Sequence, residues 1–273
     1  MGMNRELAGY EGKPVEFVVE ANQVRAYAAA VNEGNPLFLG ENPVAPPCFA
    51  FTVGLPAMGK CMFHPKLGAN IMRLVHGEHV FRYRRPVKAG ERLVSRGKIL
   101  SIEEKPTGET VTILVTSEDS EGKEVSQSEA LFFIRGSGSG KSAPAEPVPE
   151  PAKFDFEVPM KVAPDQATRF GNASGDKNPI HMNNDAAKAS GLPGVILHGL
   201  CTLSFAAQAV VDSCMRGEAP RLAEFGARFS KMVLPGDTVT TRIRKTGAGV
   251  CEFDVVNQNG VTVISRGHAR WRE

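Results

Sequence analysis

The amino-acid sequence predicts an α+β protein in which one unit, a β-sheet wrapped around a single buried helix, occurs twice. Three observations support this fold class. The chain divides at a segment rich in glycine, serine and proline, its two halves resemble each other, and each half reads as a strand, a helix, a polar turn, a longer apolar helix and four strands. A helix that is apolar on most sides must be buried, and the apolar face of an antiparallel sheet can bury it.

The dividing segment covers 136–153 and reads GSGSGKSAPAEPVPEPAK. It contains too few apolar side chains to be ordered by burial. Its composition is that of a linker, flexible at first and polyproline-like further on. The sequence therefore predicts an N-terminal domain over 1–135 and a C-terminal domain over 154–273.

The two halves carry matching motifs in the same order. The stretch Val24–Leu37 matches Ala167–Ile180, and the stretch Arg82–Glu91 matches Arg228–Asp237. Each half then closes with strands in which apolar and polar residues alternate. Repetition on this scale indicates the duplication of one structural unit.

In the C-terminal half, a helix over about 164–174 is expected to end at Gly175, which can take the left-handed conformation of a C-cap. We expect Pro179 to prevent this helix from resuming. Asp176 and His181 would then lie on a tight, irregular loop and could point to the same side.

Asp176, Asn178 and His181 form a candidate acid/base group. A carboxylate and an imidazole a few ångströms apart can hold one water molecule between them. One group can take a proton from that water while the other delivers a proton elsewhere. Asn178, which Pro179 should hold in an extended conformation, would orient the water or the imidazole. Each residue alone is also ordinary turn chemistry, and only the combination favours a reaction.

A second candidate is the start of the long helix expected over 199–215, in which only Gln208 and Asp212 interrupt the apolar run after the first turn. The first N–H group of a helix has no partner within the helix and lies at the positive end of its dipole. The amide of Gly199 could therefore bind a carbonyl oxygen that becomes negative during a reaction. Alternatively, Gly199 is small only because helix and loop pack closely. His198 could shape the pocket or serve a structural purpose.

These residues resemble the signature of the MaoC-like, type 2 (R-specific) enoyl-CoA hydratases. The matching positions are Phe170, the run 174–181 (SGDKNPIH) and Ala187. Two further segments, 196–202 (ILHGLCT) and 233–238 (VLPGDT), are similar to the same family. Together the matches cover most of the chain from 155 to 273.

The resemblance implies a double hot-dog fold within one chain. It implies that Asp176 and His181 are the catalytic pair, with Asn178 in support and the Gly199 amide as the oxyanion donor. Water would add to the trans-2 double bond of an acyl thioester and give the (3R)-hydroxyacyl product, a reversible lyase reaction. No metal or redox cofactor is implied, and coenzyme A or acyl carrier protein enters as part of the substrate.

The N-terminal half lacks these groups. Aligned on the Asn-Pro pairs, the correspondences are Asn35 with Asn178, Glu33 with Asp176, Phe38 with His181 and Cys48 with Gly199. Because phenylalanine cannot move a proton, the sequence predicts one active site and a catalytically silent N-terminal half. That half also lacks a counterpart of 184–191, which reads as a short helix over the mouth of the site. By resemblance, this loss implies a wider tunnel for medium or long acyl chains.

Three functions remain open at this stage. They are hydration of acyl-CoA, dehydration of (3R)-hydroxyacyl groups on acyl carrier protein for fatty-acid or polyketide synthesis, and binding or hydrolysis of acyl thioesters without hydration. The intact acid/base set argues against a module that only binds. Candidate substrate-binding residues, four of them for the carrier's phosphates, are Arg84, Arg85, Arg228, Lys231 and Phe225. A solvated strand edge is an equally good interpretation of the four basic residues.

Composition limits the alternatives further. A net charge of +2 and the absence of a basic run with interleaved aromatic residues argue against nucleic-acid binding. No stretch approaches the 18 apolar residues typical of a membrane span. The five cysteines include no C-x-x-C pair, which favours a reducing compartment, and we expect a cytoplasmic protein. One chain already supplies two units, so a monomer and a homodimer are both possible.

Overall fold

The computed structural model describes residues 2–136 and 153–273. Each half contributes five strands. The strands are β1 (Val15–Val18), β2 (Leu74–Tyr83), β3 (Arg92–Lys105), β4 (Gly108–Glu118), β5 (Glu124–Arg135), β6 (Phe156–Lys161), β7 (Leu222–Phe229), β8 (Thr238–Gly247), β9 (Val250–Asn257) and β10 (Thr262–Trp271). The α-helices are α1 (Ala21–Ala30), α2 (Pro36–Leu39), α3 (Phe49–Met62), α4 (Gln166–Ser174), α5 (Pro179–Met182), α6 (Asn184–Ala189) and α7 (Gly199–Met215).

All ten strands form one antiparallel sheet in the order β1-β3-β4-β5-β2-β7-β10-β9-β8-β6. The second half of this order repeats the first in reverse, so the halves are related by a pseudo-two-fold axis at the β2–β7 pair. Arg82 pairs with Glu224, its counterpart Arg228 pairs with Glu78, and Val80 meets Gly226 midway between them. The register therefore places corresponding residues of the two copies symmetrically about the Val80–Gly226 pair.

The long helices α3 and α7 are the enclosed elements. In α7, twelve side chains are buried, and the helix runs from Gly199 to Met215 as the sequence predicts. All but two of the buried apolar residues of the described chain, Ala187 and Val256, belong to one continuous core that spans both halves. The α+β class and the wrapping of a sheet around one long helix per copy are confirmed.

Helices α1 and α4 join the halves at a second place. The fully buried side chain of Gln166 on α4 donates to the carbonyl of Ala30 on α1. The hydroxyl of Tyr27 on α1 lies 3.0 Å from that of Ser204 on α7. These contacts fix the α4 region, which carries the acid/base motif, against the N-terminal half.

The first domain's last strand ends at Arg135, and the second domain's first strand begins at Phe156. The predicted linker 136–153 lies outside the described residues except for its two end positions. Among the helices that the structure describes, none is long and apolar enough to cross a membrane.

Candidate active site

The acid/base motif begins where α4 ends. Gly175 has a φ of 81°, the left-handed C-cap that the sequence predicts. The backbone N–H of Asn178 donates to the carboxylate of Asp176 at 3.2 Å, and this bond closes the turn. Asn178 has a ψ of 125°, the extended conformation expected before a proline. The turn therefore orients the Asp176 carboxylate through the local backbone.

The expectation of an irregular loop after Pro179 is wrong. Pro179 is the first residue of a one-turn helix, α5, and the side-chain oxygen of Asn178 accepts a hydrogen bond from Ile180 N–H at 3.4 Å. Proline is tolerated at the first position of a helix because that N–H has no partner there, and asparagine is a preferred N-cap. His181 thus lies on a short, capped helix.

His181 is buried, and its orientation is set by one hydrogen bond. Its Nδ1 lies 2.8 Å from the carbonyl oxygen of Ile196. Since a carbonyl can only accept, Nδ1 carries the proton, and the neutral ring presents an unprotonated Nε2. Burial lowers the pKa of His181, while the Ile196 carbonyl and the Asp176 carboxylate act in the opposite direction. The ring is therefore held as a neutral proton acceptor.

His198 connects the two candidate catalytic residues. Its ring stacks on that of His181, with centroids 3.9 Å apart and an interplanar angle of 28°. Its Nε2–H donates to the backbone carbonyl of Asp176 at 2.9 Å. Burial, and then the nearby His181, lower the pKa of His198 to about 3, so it stays neutral. Its Nδ1 is buried and has no hydrogen-bond partner within the described residues.

One carboxylate oxygen of Asp176 and one ring nitrogen each of His181 and His198 lie within 4.8 Å of one another. A water molecule that makes two hydrogen bonds of about 2.8 Å fits a gap of this size. A zinc ion would need its ligands at about 2.0–2.2 Å, pointing at one centre. The two stacked imidazoles direct their lone pairs in nearly parallel planes, which suits proton transfer better than metal binding. That no metal takes part remains a prediction.

Gly199 opens α7 directly behind this cluster. The carbonyl of His198 accepts from the N–H groups of Cys201 and Thr202, while the N–H of Gly199 has no acceptor in the parts of the chain that are described. A Cβ at position 199 would lie 2.9–3.2 Å from the ring of Phe229. The glycine is therefore needed for close packing, and its amide is also available for a ligand.

The predicted substrate-binding residues do not form one group. Arg84 pairs with Glu124, and Arg85 pairs with Glu91 and Asp119. These two arginines are engaged in ion pairs within the N-terminal half.

The other three lie on or after β7. Phe225 is fully buried beside the pseudo-two-fold axis and stacks on Phe253 at 5.0 Å. Arg228 is exposed, and strand alternation directs it to the face of the sheet opposite Phe229, which packs on Gly199. Lys231 follows the strand and is exposed, with no ion pair among the described residues. Arg228 and Lys231 are therefore the two predicted basic residues that carry no ion pair among the described residues.

One residue of the site escaped the sequence-based prediction. A Cβ at Gly171 on α4 would lie 2.5 Å from the sulfur of Met182 and 3.0 Å from the carbonyl oxygen of Asp176. Glycine at 171 therefore allows α4 to approach the Asp176 turn. The corresponding residue of the first copy is Ala28, and this difference was the available signal.

The fold defines a class, the double hot-dog proteins, and within the described residues one acid/base cluster lies in the C-terminal unit. Comparison with known proteins leads to the family. Residues 148–265 match the family model described as "MaoC like domain", and residues 6–128 match "FAS1-like, dehydratase domain region". The chain is 32% identical over 205 residues to a probable enoyl-CoA hydratase 2 of Dictyostelium discoideum, covering 72% of this chain and 70% of that protein.

Two further relatives span more of the chain. The enoyl-CoA hydratase ChsH3 of Mycobacterium tuberculosis is 28% identical over 254 residues, which is 88% of each protein. A crystal structure of a MaoC-like dehydratase from Phytophthora capsici superposes with a TM-score of 0.86 at 24% identity, covering 100% of this chain and 98% of that one. This structure shows the shared fold, while the 32% identical relative and the two family models show that the chain belongs to the MaoC-like hydratase and dehydratase family.

Proposed function

We propose that this protein adds water to the double bond of trans-2-enoyl-CoA thioesters and forms (3R)-hydroxyacyl-CoA, a reversible lyase reaction. One observation carries the proposal. The Asp176 carboxylate and a ring nitrogen of His181 lie within 4.8 Å of each other, beside a helix that begins with a free amide at Gly199. The names of the relatives from Dictyostelium discoideum and Mycobacterium tuberculosis, both enoyl-CoA hydratases, support the same reaction.

In this mechanism one water molecule bridges Asp176 and Nε2 of His181. The catalytic pair takes one proton from the water as its oxygen bonds to the β-carbon, and the electrons of the double bond move toward the thioester carbonyl. The pair then returns one proton to the α-carbon on the same face. The sum is one water added, and the pair ends in its starting protonation state.

The amide of Gly199 stabilises the intermediate. Negative charge develops on the thioester oxygen when the β-carbon is attacked, and a fixed N–H donor at a helix N-terminus meets that charge without reorganisation. Asn178 assists by orienting the water. Its oxygen caps α5, which leaves its Nδ2 without a partner among the described residues and able to donate to the water.

The acyl chain is proposed to be medium or long. The short helix expected over 184–191 is present as α6 (Asn184–Ala189), and α2 is followed by no such helix in the N-terminal half. The side chains that we propose as tunnel lining lie in the core around α3 and are at most 5% exposed: Phe49, Phe51, Met58 and Met62. The two methionines are unbranched and can change rotamer to admit an acyl chain.

Coenzyme A is the proposed carrier, with Lys231 as the residue that meets its phosphates. Acyl carrier protein presents the same pantetheine thioester and is the competing carrier. All five cysteines are free thiols, which supports the proposed reducing, cytoplasmic setting.

The decisive experiment follows the loss of enoyl-CoA absorbance across acyl chain lengths and analyses the product on a chiral column. We expect the (3R) product and turnover that is retained at about ten carbons and beyond. Formation of the (3S) product would contradict the family mechanism. A profile that peaks at four carbons and is lost by ten would contradict the acyl-chain proposal alone. Turnover confined to acyl carrier protein thioesters would establish the dehydratase alternative.

The variant Asp176→Asn tests the catalytic pair. It keeps the size of the side chain and an oxygen that can accept from Asn178 N–H, so the fold should be unchanged. Turnover should fall by about 10³-fold, within the range typical of losing a general acid or base. Wild-type turnover in this variant would rule out the mechanism.

A further inference from the structure

We propose that His76, a residue of the N-terminal half, is a positioning residue of the active site in the C-terminal half. It fixes the ring of Phe229, which packs on Gly199, and so holds the first amide of α7 in place for the thioester oxygen. This inference rests on the proposed function, because it assigns a task to a residue that reaches the same site from the silent copy.

A β-bulge directs His76 toward the site. In the β2–β5 pair, His76 faces Phe132 and Glu78 faces Leu131, so that Gly77 is an extra residue in β2. Residues three apart on a regular strand point to opposite faces, and an inserted residue restores them to the same face. His76 therefore lies on the inner face together with the fully buried His79.

The ring of His76 is held from two directions. Its Nε2 lies 3.1 Å from Nδ1 of His79, whose Nε2 lies 2.7 Å from the hydroxyl of Ser128. Its ring contacts Phe132 at a centroid distance of 4.7 Å and Phe229 at 4.8 Å. The imidazole thus connects the hydrogen bonds of His79 and Ser128 in the N-terminal half with the ring of Phe229 in the C-terminal half.

Phe229 in turn packs against the first residue of α7, Gly199. A Cβ at Gly199 would lie 2.9 Å from Phe229, so the ring already rests against the helix N-terminus. His76 is also close enough to the catalytic pair for Asp176 to raise its pKa and His181 to lower it. Burial is the largest influence and lowers the pKa of His76 to about 4, so the ring is neutral at neutral pH.

The second copy shows that the fold itself does not need this imidazole. β7 carries the same bulge, because Glu224 faces Arg270 and Leu222 faces Trp271. Arg82 corresponds to Arg228, so His76, six residues earlier, corresponds to Leu222, and His79 corresponds to Phe225. Leu222 lines a small apolar cavity with Tyr83 and Pro47 at the silent counterpart of the site. The two histidines of β2 thus correspond to apolar residues in β7, and the imidazole pair occurs on the strand whose His76 contacts Phe229.

The test compares His76→Leu, which installs the residue of the silent counterpart, with Leu222→Met as the matched control. We expect His76→Leu to fold with a near-native far-UV spectrum and to lose about tenfold or more in kcat, with KM changed by less than about threefold. Imprecise placement of an oxyanion donor costs part of the 10²–10³-fold that its removal costs. Leu222→Met should keep wild-type kcat. His76→Gln, which retains a partner for His79 but no ring, should also lose kcat.

A double-mutant cycle with Phe229→Leu tests the route. If His76 acts through Phe229, the double variant His76→Leu/Phe229→Leu should be no slower than Phe229→Leu alone. Fully additive losses would overturn that route. A kcat within twofold of wild type in both His76 variants would overturn the inference.

A readout that does not depend on turnover separates this inference from the proposed function. In ¹H–¹⁵N NMR spectra, the Gly199 amide resonance should shift in His76→Leu and stay in place in Leu222→Met. An inactive wild-type protein would contradict the proposed function and leave the NMR result as the test of His76. An unshifted Gly199 resonance in His76→Leu would contradict the positioning role even in an active enzyme.

Discussion

The candidate active site and its counterpart in the N-terminal half share a scaffold. Asn178 and Asn35 each cap a one-turn helix that begins with proline, accepting from Ile180 N–H at 3.4 Å and from Leu37 N–H at 3.0 Å. The preceding carboxylates also correspond, since Glu33 accepts from Asn35 N–H at 2.9 Å as Asp176 does from Asn178 N–H at 3.2 Å. The Asn-Pro turn therefore serves the fold in both copies.

The two sites differ in the groups that could act on a substrate. Phe38, 1% exposed, occupies the position of His181. The amide of Asn35 donates to Gly217 carbonyl at 2.8 Å and is therefore occupied, unlike that of Asn178. Tyr83, the counterpart of Phe229, donates its hydroxyl to the carbonyl of Pro47 at 3.0 Å. Both copies therefore keep the turn and the helix cap that the fold needs. Of the two, the C-terminal copy has at these positions an imidazole and an asparagine amide that is unoccupied within the described residues.

The largest effect is expected when His181 is replaced by phenylalanine, the residue at the corresponding position 38 of the N-terminal half. In His181→Phe the ring fills a similar volume, but no group accepts the proton of the bridging water. We expect kcat to fall by about 10³–10⁴-fold with little change in thermal stability. Enoyl-CoA hydration and a melting curve measure the two quantities. Retention of more than about a tenth of wild-type kcat would show that His181 is not part of the catalytic pair.

Gly199→Ala tests the packing of the oxyanion amide. The added Cβ would meet the Phe229 ring at 2.9 Å, so the helix N-terminus or the ring must move. We expect a loss of about 10²-fold in kcat, comparable to the loss of an oxyanion donor. Phe229→Leu should cost less kcat in the Gly199→Ala background than in the wild type, because it also removes the ring that the new Cβ meets. An equal cost in both backgrounds would show that the clash is not the cause.

Gly171→Ala makes the active copy resemble the first copy, which has Ala28. The methyl group would crowd the Asp176 carbonyl, with 3.0 Å between Cβ and oxygen, and shift the carboxylate turn. We expect about a tenfold loss in kcat and a destabilisation of about 1–3 kcal/mol, as for other overpacking changes. Ala28→Gly is the matched control, and its kcat should equal that of the wild type. Equal kcat in Gly171→Ala would show that the turn tolerates the contact.

The imidazole groups around the active site should make stability depend on pH. Burial lowers the pKa of four histidines: to about 4 for His76, to about 3 for His198, and below the ordinary value for His79 and His181. Because the unfolded chain binds these protons below about pH 6.5 and the folded protein does not, stability is present above that pH and is lost as pH falls towards the folded pKa values.

Denaturant titrations between pH 7 and 5 measure this effect. Each such histidine can contribute at most about 1.4 kcal/mol per pH unit to the slope of the unfolding free energy. His76→Leu should reduce the slope by up to about 1.4 kcal/mol per pH unit, the equivalent of one proton. An identical slope in His76→Leu would show that His76 already titrates normally in the folded protein.

The smallest effect is expected from rebuilding the silent site. Phe38→His with Cys48→Gly, in an Asp176→Asn background, should leave turnover at about 0.1% of wild type, which is the activity expected of Asp176→Asn alone. The amide of Asn35 is occupied by Gly217, and Glu33 is held by Gln208 at 3.3 Å. Burial also raises the pKa of Glu33. Substantial recovery in the hydration assay would show that the silent copy lacks only two groups.

Much of the fold follows from local rules acting on this sequence. The bounds of α7, the left-handed cap at Gly175 and the duplicated order of elements were predictable because each depends on apolar periodicity or on one residue's backbone preference. The α5 helix was missed because a proline can either end one helix or begin another. Asn178, a good N-cap, makes Pro179 the first residue of a new helix. The acid/base residues were predictable as a motif, since they lie within six residues of one another.

Other features of the site depend on contacts between distant segments. The Nδ1–Ile196 bond that sets the tautomer of His181, the stacking of His198 and the approach of Phe229 to Gly199 each join parts of the chain that local pattern cannot relate. Arg84 and Arg85 resembled phosphate ligands in sequence and form ion pairs in the structure. A side chain's partners are set by packing, and packing is a property of the whole fold.

By itself, the sequence determined the duplication, the family signature and the identity of the one copy with a histidine after its Asn-Pro turn. These are properties of residue type and spacing. Only the tertiary structure decided which nitrogen of His181 is free, and that His76 of the N-terminal half reaches across the pseudo-two-fold axis to Phe229 of the C-terminal half. The physical reason is that a β-bulge and the register between β2 and β7 determine where a side chain points, and both arise when strands pair.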